Sequence, residues 1–176
     1  MSAPLQFAQE NGISATSVIE CGTRRWGTQS THHQHIFPNA TNYVMTDFID
    51  GEDVDVVSDV HDLKEFGDNS FDAFFSSSLF EHVEYPWVAA QAIFRVLKPG
   101  GWCYTATHQT FPVHGYPHDY TRWTDKGLSA VFRHAGFWIE KAAMTMQCKI
   151  IPPDEVTVWD SHAPAYIGVS VVAIKP

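Results

Sequence analysis

The sequence predicts an α/β fold with a largely parallel β-sheet. Apolar, β-rich runs alternate with helix-like segments along the chain, and this alternation favours parallel strands joined by helices. The central strands are apolar on both faces, as strands of a sheet covered on both sides must be. The 176 residues show no linker, repeat or low-complexity tract, so we expect one domain over residues 1–176 without a cap domain.

The elements follow in chain order, each defined by its pattern of apolar residues. We predict strands at TSVIEC, NYVMTDF, VDVVSD, FDAFFSS, WCYTATH, FWIEKA and YIGVSVVAIK. The segments between them that have a helical pattern are TQSTHHQHIF, PWVAAQAIFRVL and DKGLSAVFRHA.

The clearest helix begins at Pro86 and runs from Trp87 to Leu97. Proline suits a first helical turn because it has no N–H group to leave unpaired. Apolar residues recur at helical spacing through VAAQAIFRVL, and the following KPGG ends the helix and turns the chain into the next strand.

The composition excludes several classes of protein. The hydrophobic fraction of 44% and charged fraction of 18% are ordinary for a soluble domain, and no apolar run approaches the roughly 20 residues that cross a membrane. A net charge of −9 gives no basic surface for nucleic acid or anionic lipid. The opening MSAPLQFAQENG lacks the basic and apolar regions of a signal peptide, so we expect a cytoplasmic protein.

The three cysteines, Cys21, Cys103 and Cys148, are widely spaced and include no CxxC pair. This pattern argues against a disulfide framework and against a thiolate zinc site. Because two of them fall in predicted strands, we expect buried, reduced thiols.

A longer segment carries a family resemblance. The run NSFDAFFSSSLFEHVEYPWVAAQAIFRVLKPGGWCYTATH resembles class I S-adenosylmethionine-dependent methyltransferases of the type 11 group, with the specific match at Phe71 to Gly101. YVMTDFIDGEDVDVVSDVHDL and FPVHGYPHDYTRWTDKGL resemble a subgroup of that family. The resemblance implies a Rossmann-like, doubly wound sheet of seven strands, with helices on both faces and the last strand antiparallel between its neighbours. It also implies S-adenosylmethionine as the cofactor.

The family resemblance assigns roles to two acids at strand ends. Asp47 ends the second strand, where an acid accepts hydrogen bonds from the ribose hydroxyls, and the alternative is a solvated turn aspartate. Asp59 is matched to a contact with the adenine amino group, beside the backbone of Val60 and His61. The alternative for Asp59 is a helix N-cap before HDLKEF.

The first loop departs from the glycine-rich pattern of dinucleotide sites, which brings backbone N–H groups close to a pyrophosphate. S-adenosylmethionine has no phosphate, so Glu20 could serve its cationic end and Gly22 could leave room for the adenosine. Arg24 or Arg25 would pair with the α-carboxylate, or both are solvated loop charges. The predicted cofactor residues are Glu20, Cys21, Gly22, Thr23, Arg24, Arg25, Asp47, Phe48, Asp59, Val60, His61, Ser76 and Ser77, the two serines lining the methionine end.

Groups able to bind or deprotonate an acceptor cluster after the fifth strand. They are His108, His114, His118, Asp119, Tyr120 and Arg122. The candidates for a catalytic base are His114, His118 (with Asp119 beside it) and His82, whose alternative role is structural. We interpret Glu81 as ordering the turn after the fourth strand.

The ten histidines raise the question of a metal site. His32 and His35 could share a helical face, and His108, His114 and His118 could converge from one loop. Neither set has the motif context of a known zinc site, so the sequence predicts no metal.

The functional hypothesis is S-adenosylmethionine-dependent methyl transfer to a small-molecule or a glycan- or lipid-linked acceptor, with no nucleic acid and no membrane insertion. The alternative is a non-catalytic cofactor-binding or interaction domain that retains the fold. Without a cap domain, the pocket is expected to be open, completed by a partner subunit in a homodimer, or fitted to a bulky acceptor.

Overall fold

The computed structural model describes residues 15–28, 30–115, 117–151, 153 and 164–176. The opening segment considered above, MSAPLQFAQENG, lies outside these residues. No helix in the described ranges is long and apolar enough to cross a membrane.

Seven strands form one sheet: β1 (Ser17–Cys21), β2 (Asn42–Asp47), β3 (Val56–Val57), β4 (Phe71–Ser77), β5 (Leu97–His108), β6 (Trp138–Cys148) and β7 (Ala165–Ile174). Their order across the sheet is β3-β2-β1-β4-β5-β7-β6. β7 is antiparallel to both β5 and β6, and the other neighbours are parallel. The predicted fold class is confirmed.

The topology places several strand ends along one edge. Cys21 at the end of β1 pairs with Thr46 of β2 on one side and with Ser76 of β4 on the other. The strand order reverses between β1 and β4, and in such sheets ligands bind beyond the carboxyl ends at this point. The functional site is therefore expected at this edge.

One face of the sheet is covered by the helices α1 (Pro86–Val96) and α2 (Asp125–His134). α1 begins at the predicted proline and ends one residue before Leu97. The KPGG turn needs both glycines. Gly100 has a φ of +77°, and a Cβ on Gly101 would lie 2.8 Å from the carbonyl oxygen of Lys98.

The segment TQSTHHQHIF was expected to be helix-like, but its described part forms only a short 3-10 helix (Gln34–Ile36). The backbone N–H of His33 donates to the Glu20 carboxylate, and Pro38 disfavours helical geometry in the residue before it. This arrangement brings Ile36 and Phe37 onto the second face of the sheet, where they pack in a separate apolar cluster.

Candidate functional site

A cavity of about 560 Å³ lies beyond the carboxyl ends of β1, β2 and β4. Residues from the first loop, the loops after β2, β3 and β4, and the segment after β5 line it. Its volume is within the range of ligand-binding pockets. The reversal of strand order thus produces a cleft of suitable size for a small cofactor and an acceptor group.

Gly22 lines the cavity at the turn after β1. This residue has a φ of +84°, and a Cβ added there would lie 3.3 Å from Cδ1 of Leu79. Its N–H donates to the carbonyl of Thr46 at 2.8 Å, which fixes the turn after β1. A side chain at this position would be strained and would narrow the cavity.

Cys21 also lines the cavity, and its thiol is inert. Burial raises the pKa of Cys21 to about 12. Cys103 is likewise buried, and its pKa is also raised to about 12 by desolvation. Both cysteines are thus buried, as expected, whereas Cys148 is only partly buried.

Glu20 is adjacent to Cys21 in β1 and therefore points to the opposite face of the sheet. Its carboxylate accepts hydrogen bonds from the Tyr43 hydroxyl and from the His33 backbone N–H at 2.9 Å, and His33 Nδ1 lies 2.8 Å away. Burial and the neighbouring Glu20 charge raise the pKa of Tyr43, which keeps this donor protonated. Glu20 does not line the cavity.

The side chains of the two arginines in the first loop point in different directions. Arg25 donates to both oxygens of Asp53, at 2.9 and 3.0 Å, and pairs with Glu52 at 3.0 Å, away from the cavity. Arg24 lines the cavity, with its guanidinium carbon 5.6 Å from the centre of the Trp26 ring. Only Arg24 is therefore placed to meet a ligand carboxylate.

Thr23 and Ser76 are buried and do not line the cavity. The Thr23 hydroxyl donates to the carbonyl of Asp53 at 2.6 Å, which closes the first loop. The Ser76 hydroxyl donates to Oγ1 of Thr105 at 3.2 Å in the next strand. These contacts stabilise the edge, whereas the next residue, Ser77, faces the cavity.

The acids after β2 and β3 both line the cavity. Asp47 accepts from the backbone N–H groups of Ile49 at 3.0 Å and Arg24 at 3.4 Å. Asp59 accepts from the backbone N–H of His61 at 2.9 Å, and His61 Nδ1 lies 2.6 Å away. Although burial opposes it, these bonds lower the pKa of Asp59. The segment after Asp59 forms turns, so the helix N-cap alternative does not apply.

Phe48, Val60 and His61 complete this end of the cavity. Val60 is buried, whereas the Phe48 side chain is 49% exposed at the rim. The backbone N–H of Tyr85 donates to Nε2 of His61 at 3.3 Å, so the Nδ1 of the neutral ring carries the proton that faces Asp59. The ring is fixed by contacts on both sides.

A second group of polar residues lies at the other end, and we call Glu81, His82, His108 and His114 the histidine cluster. Glu81 is fully buried (0% exposed) and accepts from the Thr107 hydroxyl at 2.6 Å. His108 Nδ1 lies 2.7 Å from Oε1 of Glu81, and Nε2 of His82 and of His114 lie 3.8 and 4.0 Å from the same oxygen. All three histidines line the cavity.

Asp119 lies beside this cluster and does not orient its sequence neighbour His118. Its carboxylate accepts from Arg122 Nη2 at 2.6 Å and from the backbone N–H of His114 at 2.9 Å. The Arg122 guanidinium holds the pKa of Asp119 well below its usual range. His118 lines the cavity independently, with its ring 5.8 Å from that of Tyr120.

Comparisons with known proteins agree with this geometry. Residues 32–105 match the type 11 family model described as "Methyltransferase domain". A comparison with curated protein sequences found no similar sequence. The middle part of the chain is thus similar to methyltransferase domains.

Solved structures with a similar fold include a putative methyltransferase from Bacillus halodurans, with 15% identity, a TM-score of 0.68, and coverage of 99% of this chain and 100% of that chain. Another is the complex between the Haloferax volcanii Trm112 methyltransferase activator and a putative methyltransferase, with 20% identity, a TM-score of 0.63, and coverage of 92% and 83%. A third is Burkholderia thailandensis 1,6-didemethyltoxoflavin-N1-methyltransferase with S-adenosylhomocysteine, with 13% identity, a TM-score of 0.65, and coverage of 98% and 77%.

The match to a methyltransferase domain indicates S-adenosylmethionine as the cofactor, and the cavity is suited to it. Gly22 and the two carboxylates suit a ligand with ribose hydroxyls, an exocyclic amine and no phosphate. The predicted cofactor residues that line the cavity are Cys21, Gly22, Arg24, Asp47, Phe48, Asp59, Val60, His61 and Ser77. Those that do not are Glu20, Thr23, Arg25 and Ser76.

The three predicted catalytic histidines, His82, His114 and His118, all line the cavity. Glu81 was expected to order the turn after β4 and not to belong to the site, although the strand pattern carried a signal for it. Glu81 follows β4 and His108 ends β5, and neighbouring parallel strands bring their carboxyl ends to the same edge. An acid soon after β4, near the end of the neighbouring strand β5, was therefore the signal for Glu81.

Proposed function

We propose that this protein is an S-adenosylmethionine-dependent methyltransferase that transfers a methyl group to a small-molecule acceptor, or to the exposed end of a glycan- or lipid-linked one. The observation that carries the proposal is that a single cavity joins the acidic ends of β2 and β3 to the histidine cluster. S-adenosylmethionine supplies an activated methyl group on a sulfonium. The chain's own residues bind and orient the two ligands and accept a proton from the acceptor.

At the cofactor end, we assign one contact to each charged side chain. Asp47 accepts from the ribose hydroxyls, Asp59 accepts from the adenine amine, and Arg24 pairs with the α-carboxylate. These roles are supported by the position of all three residues in the cavity lining. They also fit the chemistry, because carboxylates accept from hydroxyl and amine groups and guanidinium binds carboxylate.

At the acceptor end, His114, His118 or His82 accepts the proton of the nucleophile. An imidazole within reach of a hydroxyl or amine is a suitable base near neutral pH. Phe111 and Tyr120, each 44% exposed, stand at the rim and offer apolar surface to the acceptor. The open rim suits a small molecule or the end of a larger one, and the net charge of −9 argues against nucleic acid.

The test is product formation in cell extract incubated with the enzyme and labelled cofactor, followed by mass spectrometry. The His118→Ala variant is expected to keep cofactor affinity within about threefold, a difference under roughly 1 kcal/mol. Its turnover should fall by about a hundredfold if His118 is the base. Cofactor binding without any labelled product would favour the non-catalytic domain instead. A homodimer and a cytoplasmic location stay predictions.

A further inference from the structure

The histidine cluster has a geometry that methyl transfer alone does not require. Each of Glu81, His82 and His114 has one potential metal-ligating atom within 4.8 Å of those of the other two. Two imidazole nitrogens face one carboxylate oxygen, at 3.8 and 4.0 Å. These distances exceed those of direct hydrogen bonds and leave space between the three atoms.

The hydrogen bonds of the two rings fix which nitrogen carries the proton. Nδ1 of His82 lies 2.6 Å from the carbonyl oxygen of His118, and Nδ1 of His114 lies 3.0 Å from that of Pro112. Because a carbonyl oxygen only accepts, each Nδ1 must donate, and Nε2 of the neutral ring then bears the lone pair. Metal-binding histidines are oriented in this way, with the other ring nitrogen bonded to a carbonyl or carboxylate.

The carboxylate of Glu81 is also held in place. The Thr107 hydroxyl donates to Oε2 at 2.6 Å, and His108 Nδ1 lies 2.7 Å from Oε1. A fully buried carboxylate is costly unless charge compensates it. A cation on the cavity side would provide that charge, and Oε1 has lone pairs for both His108 and a metal ion.

We propose that Glu81, His82 and His114 form a binding site for one divalent transition-metal ion, with Zn²⁺ as the representative ion. Nitrogen and oxygen ligands at about 2.0–2.2 Å in tetrahedral geometry lie roughly 3.4 Å apart, so the two distances from Glu81, 3.8 and 4.0 Å, need to shorten by roughly half an ångström, and the two rings would move toward the ion. Three protein ligands leave a coordination position toward the cavity, as in catalytic zinc sites. This site departs from the sequence-based prediction of no metal.

The ion would lie at the acceptor end, and the site does not depend on the proposed function. The site shares only His114 with the histidine sets that the sequence suggested, because Glu81 and His82 come from the turn after β4. With an ion bound, His118 remains as the histidine for proton transfer. An acceptor oxygen on the open position would lose its proton more easily, since bound cations lower the pKa of their ligands.

The experiment measures metal binding directly, on the full-length chain without an affinity tag and after removal of metals by a chelator. Titration with Zn²⁺ in a calorimeter should give one ion per chain, and Co²⁺ should give a visible ligand-field absorption band. We expect His82→Ala and His114→Ala each to weaken Zn²⁺ binding by about tenfold or more. Glu81→Gln, which keeps the side-chain shape, should do the same.

The matched control is His118→Ala, which keeps the backbone carbonyl that orients His82. His134→Ala, at the exposed end of α2, controls for nonspecific binding to histidine. Both controls should bind Zn²⁺ within about threefold of the unmodified chain, under roughly 1 kcal/mol. Circular dichroism and thermal melting check that each variant folds.

Two outcomes would overturn the proposal. One is no Zn²⁺ or Co²⁺ binding by the folded, unmodified chain. The other is unchanged affinity in folded His82→Ala and His114→Ala variants, which would place the ion elsewhere. Because the readout is metal binding, neither outcome bears on methyl transfer, and a failure to find product leaves the metal test intact.

Discussion

At the scale of single residues, side-chain direction decides which members of a motif meet the cavity. Cys21 faces it while Glu20, one position earlier, bonds to Tyr43 and His33 on the other face. In the same way, Arg24 lines the cavity and Arg25 bonds to Asp53. The cofactor contacts proposed above therefore make predictions for individual substitutions.

The first prediction concerns Asp47. Asp47→Ala removes an acceptor from the cavity wall and should leave ribose hydroxyls unpaired, at a cost of about 1–3 kcal/mol. Affinity for S-adenosylhomocysteine, measured by calorimetry, should fall by about ten- to a hundredfold. Asp50→Ala is the control, because Asp50 is exposed and does not line the cavity. Equal affinity in a folded Asp47→Ala variant would rule out the ribose contact.

The second prediction compares the two arginines. Arg24→Ala should lose more affinity for S-adenosylhomocysteine than for 5′-methylthioadenosine, which lacks the carboxylate, by about 1.5–3 kcal/mol for a charge-assisted bond. Arg25→Ala breaks the ion pair with Asp53. It should weaken the binding of both ligands equally or leave both affinities unchanged. Calorimetric titration of both ligands into both variants measures the difference. If Arg24→Ala affects the two ligands equally, Arg24 does not bind the carboxylate.

At the scale of elements, the end of the sheet opposite the cavity is held by Asp72 of β4. Its Oδ2 accepts from the backbone N–H of Ser17 at 2.8 Å and from Oγ1 of Thr16 at 2.8 Å, and Lys98 Nζ lies 2.7 Å from Oδ1. Although burial opposes it, the Lys98 ammonium and these donors lower the pKa of Asp72 to about 2. One carboxylate thus joins the starts of β1, β4 and β5.

The third prediction is a pH dependence of stability. The folded-state pKa of Asp72 is about 2 and its ordinary value is 3.8, so its contribution is complete above about pH 4 and disappears as pH falls toward 2. Asp72→Asn should lower the free energy of unfolding at pH 7 by about 1–3 kcal/mol. Urea unfolding at several pH values should show the gap to the unmodified chain closing below pH 4.

The control for this prediction is Asp68→Asn. Asp68 pairs with Arg95 at 2.8 Å, but its side chain is 69% exposed. Exposed ion pairs contribute little, so the change should stay within about 0.5 kcal/mol. A gap for Asp72→Asn that persists unchanged at pH 2 would show that the lost interaction is not the ionised carboxylate.

At the scale of the whole molecule, the last strand ties the chain end to the middle of the domain. β7 lies between β5 and β6, and Lys175 follows it with a side chain that is only 9% exposed. Its Nζ donates to Asn69 Oδ1 at 2.8 Å and to the carbonyls of Phe94 at 2.8 Å and Leu97 at 2.7 Å. The contacts connect β7 to the turn before β4 and to the end of α1.

The fourth prediction follows from this connection. Lys175→Met keeps the length of the side chain but leaves three acceptors without their donor, and should lower the free energy of unfolding by about 1.5–3 kcal/mol. Lys126→Met is the control, because the Lys126 side chain is 86% exposed. Denaturant unfolding of both variants gives the comparison. Similar losses for the two variants would contradict a specific role for Lys175.

Much of the fold could be predicted from the sequence because its causes are local. The helix at Pro86 follows from a proline start, a helical stripe of apolar residues and a glycine-containing stop. The positions of Asp47, at the end of β2, and Asp59, two residues after β3, follow from apolar runs that end in acids. The segment TQSTHHQHIF was predicted less well, because contacts with Glu20 and the sheet outweigh its helical pattern.

By itself, the sequence determined the order of strands and helices, the glycine turn after β1 and the acids at the strand ends. These features depend on residues close together in the chain. Only the tertiary structure decided that Glu20 and Arg25 face away from the cavity and that three histidines surround the Glu81 carboxylate. Side-chain partners from different strands set these directions, and the parallel pairing of β4 with β5 brings Glu81 and His108 together. Short-range patterns do not fix these side-chain directions, because the contacts form between distant parts of the chain.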